Sequence, residues 1–273
     1  MKLQPLVSVI IPAYNAENTI IETLECVARQ TYSDIETIVV NDGSTDRTSS
    51  IIEQFIIDKP HFSLYSKHNE GLAATRNYGF QFVKGEYLLF LDADDLIDLN
   101  FVKLCVDEFQ TGNNIDIVAT QVQHFEREND IYVFPKFSLD TILKVNCFTI
   151  TSMIKSKAFK DIGMFDVTMK FHEDWEMWIR MTEKYNNVVR IDQPLFWYRK
   201  RNAHDSMCDL NFNDNVANEM HLYIYQKHFY RYLQAGYSLE RLFETIRREE
   251  LLRKKYYGVW YRKLFYRLRK TKR

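Results

Sequence analysis

The sequence predicts an α/β fold: a mostly parallel central sheet flanked by helices, followed by a helical C-terminal extension. Three observations carry this expectation. Short apolar runs recur through the first 120 residues as continuous blocks, the pattern of strands buried on both faces. Segments with apolar residues at helical spacing separate those runs. Beyond Asn213 the chain reads almost wholly as helix.

Each element has a local reason. Leu6–Pro12 is a β-branched run ended by proline, which reads as a buried strand. Ile20, Ile21, Leu24, Val27 and Ala28 then recur at helical spacing. Ile35–Val40 is a second strand, broken by the turn-rich Asn41-Asp42-Gly43-Ser44-Thr45-Asp46. Asp46 is suited to cap a helix carrying Ile51, Ile52, Phe55 and Ile56. A third strand near Phe62–Ser66 leads through Asn69-Glu70-Gly71 into a helix over Leu72–Val83, which Gly85 ends. Tyr87–Leu91 is a fourth strand and runs into Asp92-Ala93-Asp94-Asp95. After residue 120 the pattern loosens. Strands are expected near Ile115–Thr120, Ile131–Phe134 and Val188–Ile191, with a helix near Asp174–Lys184.

Composition bounds the rest. With 273 residues, 46% hydrophobic and 27% charged, the chain can bury a substantial core and is not disordered. No apolar stretch approaches the roughly 18 residues of a membrane span, and residues 1–30 show no secretory signal. Cys26, Cys105, Cys147 and Cys208 lie far apart without a CxxC pair, which fits reduced thiols in a cytoplasmic protein. The net charge of −1 hides an asymmetry: ten of the 36 Lys and Arg lie in residues 251–273, with no acidic residue among them. Residues 1–250 keep 26 basic against 37 acidic residues, a charge of −11. Such a tail points to an anionic partner. The acidic body would repel a nucleic-acid backbone, so no nucleic acid is expected.

In an open parallel sheet, ligands bind where strands end and helices begin. Three polar clusters fall there: Pro12-Ala13-Tyr14-Asn15, Asn41-Asp42-Gly43 and Asp92-Ala93-Asp94-Asp95. Asp92 and Asp94, two apart at a strand end, point the same way and can share one divalent cation. Hard oxygen ligands suit Mg²⁺ or Mn²⁺ and leave positions open for a diphosphate; the alternative is that they cap the next helix. Asp42 is either turn chemistry or an acceptor for a base N–H. Arg76 either pairs with a phosphate or is a solvated helix residue. Tyr14 either stacks on a flat base or packs in the core.

Five blocks, taken together, match a known family in order and spacing across residues 6–98. They are Val7-Ser8-Val9-Ile10-Ile11-Pro12-Ala13-Tyr14-Asn15, Gln30-Thr31-Tyr32, Val39-Val40-Asn41-Asp42-Gly43-Ser44-Thr45-Asp46, Asn69-Glu70-Gly71-Leu72-Ala73-Ala74-Thr75-Arg76-Asn77 and Phe90-Leu91-Asp92-Ala93-Asp94-Asp95. They resemble the family 2 glycosyltransferases with the GT-A fold, of the bacterial cell-surface polysaccharide and lipopolysaccharide type. His172-Glu173-Asp174-Trp175-Glu176-Met177-Trp178 resembles that family's ED motif, so the resemblance covers roughly residues 6–205.

The resemblance implies an inverting, metal-dependent enzyme moving a sugar from a UDP-sugar to a glycan or lipid-linked acceptor in lipopolysaccharide, capsule or related polysaccharide biosynthesis. Residues 1–120 would be its nucleotide-sugar-binding half, 121–212 its acceptor-binding half, and 213–273 a helical extension with a basic amphipathic tail. It also implies that Pro12, Tyr14 and Asp42 form the nucleoside pocket, with Asp42 reading the base. Arg76 would lie near the uridine or diphosphate, Asp92 at the ribose or metal side, and Asp94 on the Mn²⁺ or Mg²⁺. Asp174 would be the general base, with Glu173 its substitute. Arg199, Arg201 and His204 resemble an Arg/His stretch that approaches the diphosphate or metal. Trp175 either stacks on an acceptor sugar or packs in the core.

Three rivals weigh less. A sugar-nucleotide nucleotidyltransferase would carry a Gly-rich basic loop after the first strand, and Pro12-Ala13-Tyr14-Asn15 is neither. A nucleic-acid-binding protein is opposed by the charge of the body, and a non-catalytic binder by the presence of both Asp94 and Asp174. Tyr257, Trp260, Tyr261, Leu264, Phe265 and Leu268 share one helical face ringed by Lys and Arg. That is the composition of a helix lying in an anionic membrane interface, here the inner face of the cytoplasmic membrane. The alternatives are packing on the catalytic domain or on a second copy as a homodimer.

Overall fold

The structure is a computed structural model and describes residues 4–112, 114–202 and 215–257. The chain divides into two compact units, the first running to His221 and the second from Leu222. The first unit carries, in order, β1 (Val7–Ala13), α1 (Ile20–Ala28), β2 (Ile35–Asp42), α2 (Thr48–Ile56), β3 (Phe62–Lys67), α3 (Leu72–Phe80), β4 (Tyr87–Phe90) and β5 (Leu96–Ile97). It continues with α4 (Phe101–Phe109), β6 (Ile117–Glu126), β7 (Ile131–Tyr132), β8 (Met153–Lys155), α5 (Ser156–Asp161), α6 (Glu173–Lys184) and β9 (Val188–Lys200). These strands form one sheet in the order β3-β2-β1-β4-β8-β6-β9-β5, with β7 paired to β6.

The first four strands are all parallel. β8 then enters antiparallel between β4 and β6, and β9 runs parallel to β6. Every residue of β1 is buried. Val7, Val9 and Ile11 share a core with Ile20 and Leu24 of α1, Ile52 of α2, and Phe101 and Val102 of α4. Each such side chain contributes roughly 1.5–3 kcal/mol when fully buried. On the opposite face α3 lies very close: a Cβ on Gly79 would come within 2.8 Å of Ile10 Cγ2 and 3.1 Å of Val40 Cγ2. Helices therefore cover both faces of this half.

Four local readings change. α3 stops at Phe80, before the expected Val83, because Phe82 and Val83 donate instead to Gly79 and Phe80 in a tighter turn. Gly85 is needed for another reason, since a Cβ there would lie 2.6 Å from Ser8 Oγ and 2.7 Å from Ser8 N. α2 begins at Thr48, and Asp46 caps it from one residue further out, its Oδ1 accepting the Thr48 N–H at 3.0 Å. β6 and β9 extend to Glu126 and Lys200 because they pair with each other, across a bulge near Thr120–Val122. α4, α5, β5 and β8 add to the sequence reading.

α7 (Val216–Lys227) leads into the second unit, which holds α8 (Phe229–Gln234) and α9 (Leu239–Tyr257). Tyr225 packs on Tyr232 with ring centroids 4.9 Å apart. Leu239, Leu242, Phe243 and Ile246 form an exposed stripe on α9. No helix among the described residues is long and apolar enough to cross a membrane. Cys208, His204 and residues 258–273 of the basic tail lie outside the described residues.

Candidate active site

The loops after β1 and β2 are sewn together, which explains the Asn-Asp-Gly-Ser-Thr-Asp sequence chemically. Asn15, at φ 48, donates its N–H to Ser44 Oγ at 3.0 Å and accepts the Thr45 N–H on Oδ1 at 2.9 Å. The N–H groups of Ala16 and Glu17 bond Thr48 Oγ1 and Asp46 Oδ2 at 2.8 and 3.1 Å. Gly43, at φ 70, has no room for a side chain because a Cβ would meet Asn69 N at 2.9 Å. Polar residues in this loop thus fix its shape and leave Asp42 and Tyr14 facing a cleft.

That cleft has a volume of about 940 Å³. Pro12, Tyr14, Asp42, Asp92 and Asp94 line it. Arg76, Glu173, Asp174 and Arg201 also line it. Tyr14 is 52% exposed, an open ring at the mouth. Asp42 is buried: its Oδ1 accepts from Lys67 Nζ at 2.5 Å and the Glu70 N–H at 3.1 Å, and its Oδ2 accepts the Gly71 N–H at 3.1 Å. Burial works against the Lys67 charge, but Asp42 and Glu70 outweigh it and raise its pKa. Lys67 was not singled out from sequence. Strand register could have found it, since Asp42 and Lys67 are partners across β2 and β3.

The acidic turn after β4 is rigid. Thr19 Oγ1 donates to the Ala93 carbonyl at 2.9 Å and Thr23 Oγ1 to that of Asp95, also at 2.9 Å; the Asp95 N–H closes the turn on Asp92 O at 3.1 Å. Burial, and after it the Asp92 charge, raise Asp94 above the usual carboxylate range. Arg201 brings a guanidinium to 3.1 Å from Asp94 Oδ2. A cleft-facing pair of hard carboxylates that already draws in a positive group fits a divalent cation such as Mn²⁺ or Mg²⁺. Arg199 behaves differently from the expectation that it approaches the diphosphate. It is 6% exposed, is absent from the cleft wall and has its guanidinium consumed by protein acceptors.

Arg76 is also pinned. Only 1% exposed, it spans from Asp92 Oδ1 (2.6 Å) to Glu173 Oε1 (2.8 Å). Burial disfavours its charge, and the Asp92 and Glu173 carboxylates more than offset this. Glu173 and Asp174 open α6, where the helix N-terminus favours acidic side chains. Asp174 accepts the Trp175 N–H on Oδ1 at 2.7 Å and Asn146 Nδ2 on Oδ2 at 2.9 Å. Burial, and after it the charge of Glu173, push Asp174 up to about 7. Nothing in the sequence flagged Asn146. His172, before this pair, is pushed down to about 4 by burial and by His221, and is neutral at pH 7.

The rest of the ED segment serves packing. Trp175 is buried, donates its indole N–H to Ile142 O at 2.6 Å and is absent from the cleft wall, so its ring packs and does not offer a face to a sugar. Glu176 is fully buried and grips Arg180, which donates to the Ile162 and Met164 carbonyls. The β6–β7 hairpin and β9 also contribute to the cleft lining, with His124, Tyr132 and Tyr198.

Comparison with known proteins agrees with this architecture. An uncharacterized glycosyltransferase of Rickettsia typhi is 35% identical over 188 residues, 64% of this chain and 58% of that protein. Chondroitin synthase of Escherichia coli is 28% identical over 187 residues, 67% of this chain and 27% of that protein. The chain thus spans from about a quarter to somewhat over half the length of these two relatives. Among solved structures, S. aureus TarS 1–349 in complex with UDP-GlcNAc superposes with a TM-score of 0.60 at 25% identity, over 72% of this chain and 59% of that one. The mannosyltransferase PcManGT from Pyrobaculum calidifontis, in complex with GDP-Man and Mn²⁺, shares the fold with a TM-score of 0.59 at 20% identity, over 74% of this chain and 60% of that one. The pattern of glycosyl transferase family 2 matches residues 8–173, and the chain belongs to that family.

Proposed function

We propose that this protein is an inverting glycosyltransferase that transfers a sugar from a UDP-sugar to a glycan or lipid-linked acceptor in bacterial cell-surface polysaccharide synthesis, capsule and lipopolysaccharide included. One observation carries the reading: a single cleft holds the acidic turn and, near it, a carboxylate whose pKa is about 7. A carboxylate so tuned suits a general base at neutral pH. Asp174 takes the proton of the acceptor hydroxyl as that oxygen attacks the anomeric carbon from the side opposite the diphosphate. Glu173 is committed to Arg76, which favours Asp174 over Glu173 for the role. Pro12 and Tyr14 would flank the base and Asp42 would accept from it. Asp94, with Asp92, would hold Mn²⁺ or Mg²⁺, which neutralises charge on the leaving diphosphate when bound. The UDP-GlcNAc complex of TarS and the polysaccharide-synthesising relatives support the donor and pathway.

The test is calorimetric titration of UDP with and without Mn²⁺. Metal-dependent binding that Asp94→Asn abolishes, in a variant that melts like the parent, is the expected result. Equal binding by the variant overturns the metal assignment, and no UDP binding by the parent overturns the donor reading.

For cellular position we propose peripheral attachment at the inner face of the cytoplasmic membrane. The basic residues of 251–273 and the exposed apolar stripe on α9 support this. A chain ending at Glu250 should lose co-sedimentation with phosphatidylglycerol vesicles, and high salt should release the full chain. Concentration-dependent self-association with no vesicle binding would instead make this segment a homodimer contact.

A further inference from the structure

We propose that Arg199, gripped by Glu22 and Glu126, is the positioning residue that aims the acidic turn at its cation. The inference rests on the functional reading above and adds residues that touch neither substrate nor metal. Arg199 reaches the turn twice: its backbone N–H donates to Asp95 Oδ1 at 2.8 Å, and its Nε to the Asp94 carbonyl at 2.6 Å. The second contact takes hold of the peptide that carries the Asp94 side chain. Its other two nitrogens bond Glu126 Oε1 and Glu22 Oε2, each at 2.5 Å, and its guanidinium lies over the Phe125 ring at 4.5 Å. Four contacts hold this side chain, and the backbone bond to Asp95 holds the residue that carries it.

The anchors come from far apart in the fold. Glu22 belongs to α1 and Glu126 to the end of β6, so the clamp fastens the turn to a helix and to a strand of the far half of the sheet. Glu126 sits at φ 73, a strained backbone for a residue other than glycine. Such strain persists where the surroundings over-determine the conformation, and here the Arg199 pair does so. Arg201 follows two residues later on the Asp94 carboxylate itself. The β9 end therefore holds the Asp94 backbone with one arginine and its carboxylate with the next. Because groups behind a ligand fix its direction, losing one typically weakens metal affinity 10–100-fold.

The experiment measures Mn²⁺ by loss of its free electron paramagnetic resonance signal, UDP by calorimetry in Mn²⁺, and uridine by calorimetry in EDTA. Arg199→Met is expected to weaken Mn²⁺-dependent UDP binding roughly 10–100-fold while uridine binding in EDTA stays within twofold of the parent. Arg199→Lys, keeping one charged donor, recovers part of the loss. A folded Arg199→Met protein whose Mn²⁺-dependent affinity stays within twofold of the parent overturns the proposal, as does equal loss of uridine binding. Should Arg199→Met fail to fold, Glu126→Gln decides: several-fold weaker Mn²⁺ binding supports the clamp, and unchanged binding overturns it. A parent protein that binds uridine but no Mn²⁺ fails the metal reading, a result distinct from failure of the clamp.

Discussion

Replacing Arg76 with Met tests the buried bridge between the two acidic clusters. The substitution keeps much of the hydrocarbon volume and removes the guanidinium that bonds Asp92 and Glu173 at 2.6 and 2.8 Å. Breaking a buried ion pair by deleting one partner costs about 3–5 kcal/mol, because the other charge stays buried without compensation. The Asp92 side chain is 27% exposed, so water relieves part of its share, while Glu173 at 10% exposure gets little relief. A loss near the lower bound, about 3 kcal/mol, is therefore expected. For a unit of this size each 1 kcal/mol lowers Tm by about 2–4 °C, so the variant should melt roughly 6–12 °C below the parent. Adding Glu173→Gln to Arg76→Met should restore stability, since an amide needs no counter-charge. Urea unfolding of the four proteins measures the coupling, expected at about 1–3 kcal/mol. A single variant within about 1 kcal/mol of the parent, or two substitutions that add to within about 0.5 kcal/mol, would refute the reasoning.

Four further outcomes follow from the geometry. As the proposed general base, Asp174 would have to lose its proton to act, and burial pushes its pKa up to about 7, so kcat/KM should climb as pH rises through about 7; a flat profile from mildly acidic to mildly alkaline pH would contradict this. The same shift has a stability sign: the folded carboxyl keeps a proton that an unfolded one, at the ordinary 3.8, has already lost. Stability from this group is thus present at low pH, falls as pH rises from about 4 to about 7 and is level above, a slope that Asp174→Asn should remove from the melting curves. Gly85→Ala should destabilise by several kcal/mol or prevent folding, because the new Cβ meets the Ser8 N at 2.7 Å and the Leu6 carbonyl at 2.8 Å, backbone that cannot step aside; expression and circular dichroism decide. Tyr14→Ala should weaken UDP binding several-fold with Tm unchanged, since the ring is 52% exposed at the cleft mouth, and an altered Tm would show a packing role instead.

Much of the first half of the fold was legible because its strands are buried on both faces. β1, β2 and β4 announce themselves as unbroken apolar runs, and their ends mark the loops that line the cleft. β5 and β8, two and three residues long, exist only through their neighbours, so no local pattern could reveal them. The two arginines show the other limit. Along the chain Arg76 and Arg199 look like ordinary helix and strand-end residues. Each is buried by carboxylates distant in sequence, up to 97 positions away for Arg76 and 177 for Arg199. Burial of charge depends on partners that only the folded chain assembles. Trp175 illustrates the converse: a ring beside the ED pair reads equally as a sugar platform or as core, and the bond to Ile142 places it in the core.

The order of strands makes the sheet a ruler. The loop after β1 lines the cleft with Tyr14, and His124, which also lines it, belongs to β6. Between β1 and β6 lie only β4 and β8, so three lateral steps separate the two rails. At about 4.8 Å per step the span is roughly 14 Å, a length set by backbone hydrogen bonding and indifferent to side chains. On the proposed function, donor and acceptor would share a gauge that point substitution cannot widen. Variation in substrate size within such a scaffold has to be accommodated by what projects from the rails, in particular by the hairpin of β6 and β7, whose residues can be exchanged without disturbing the spacing.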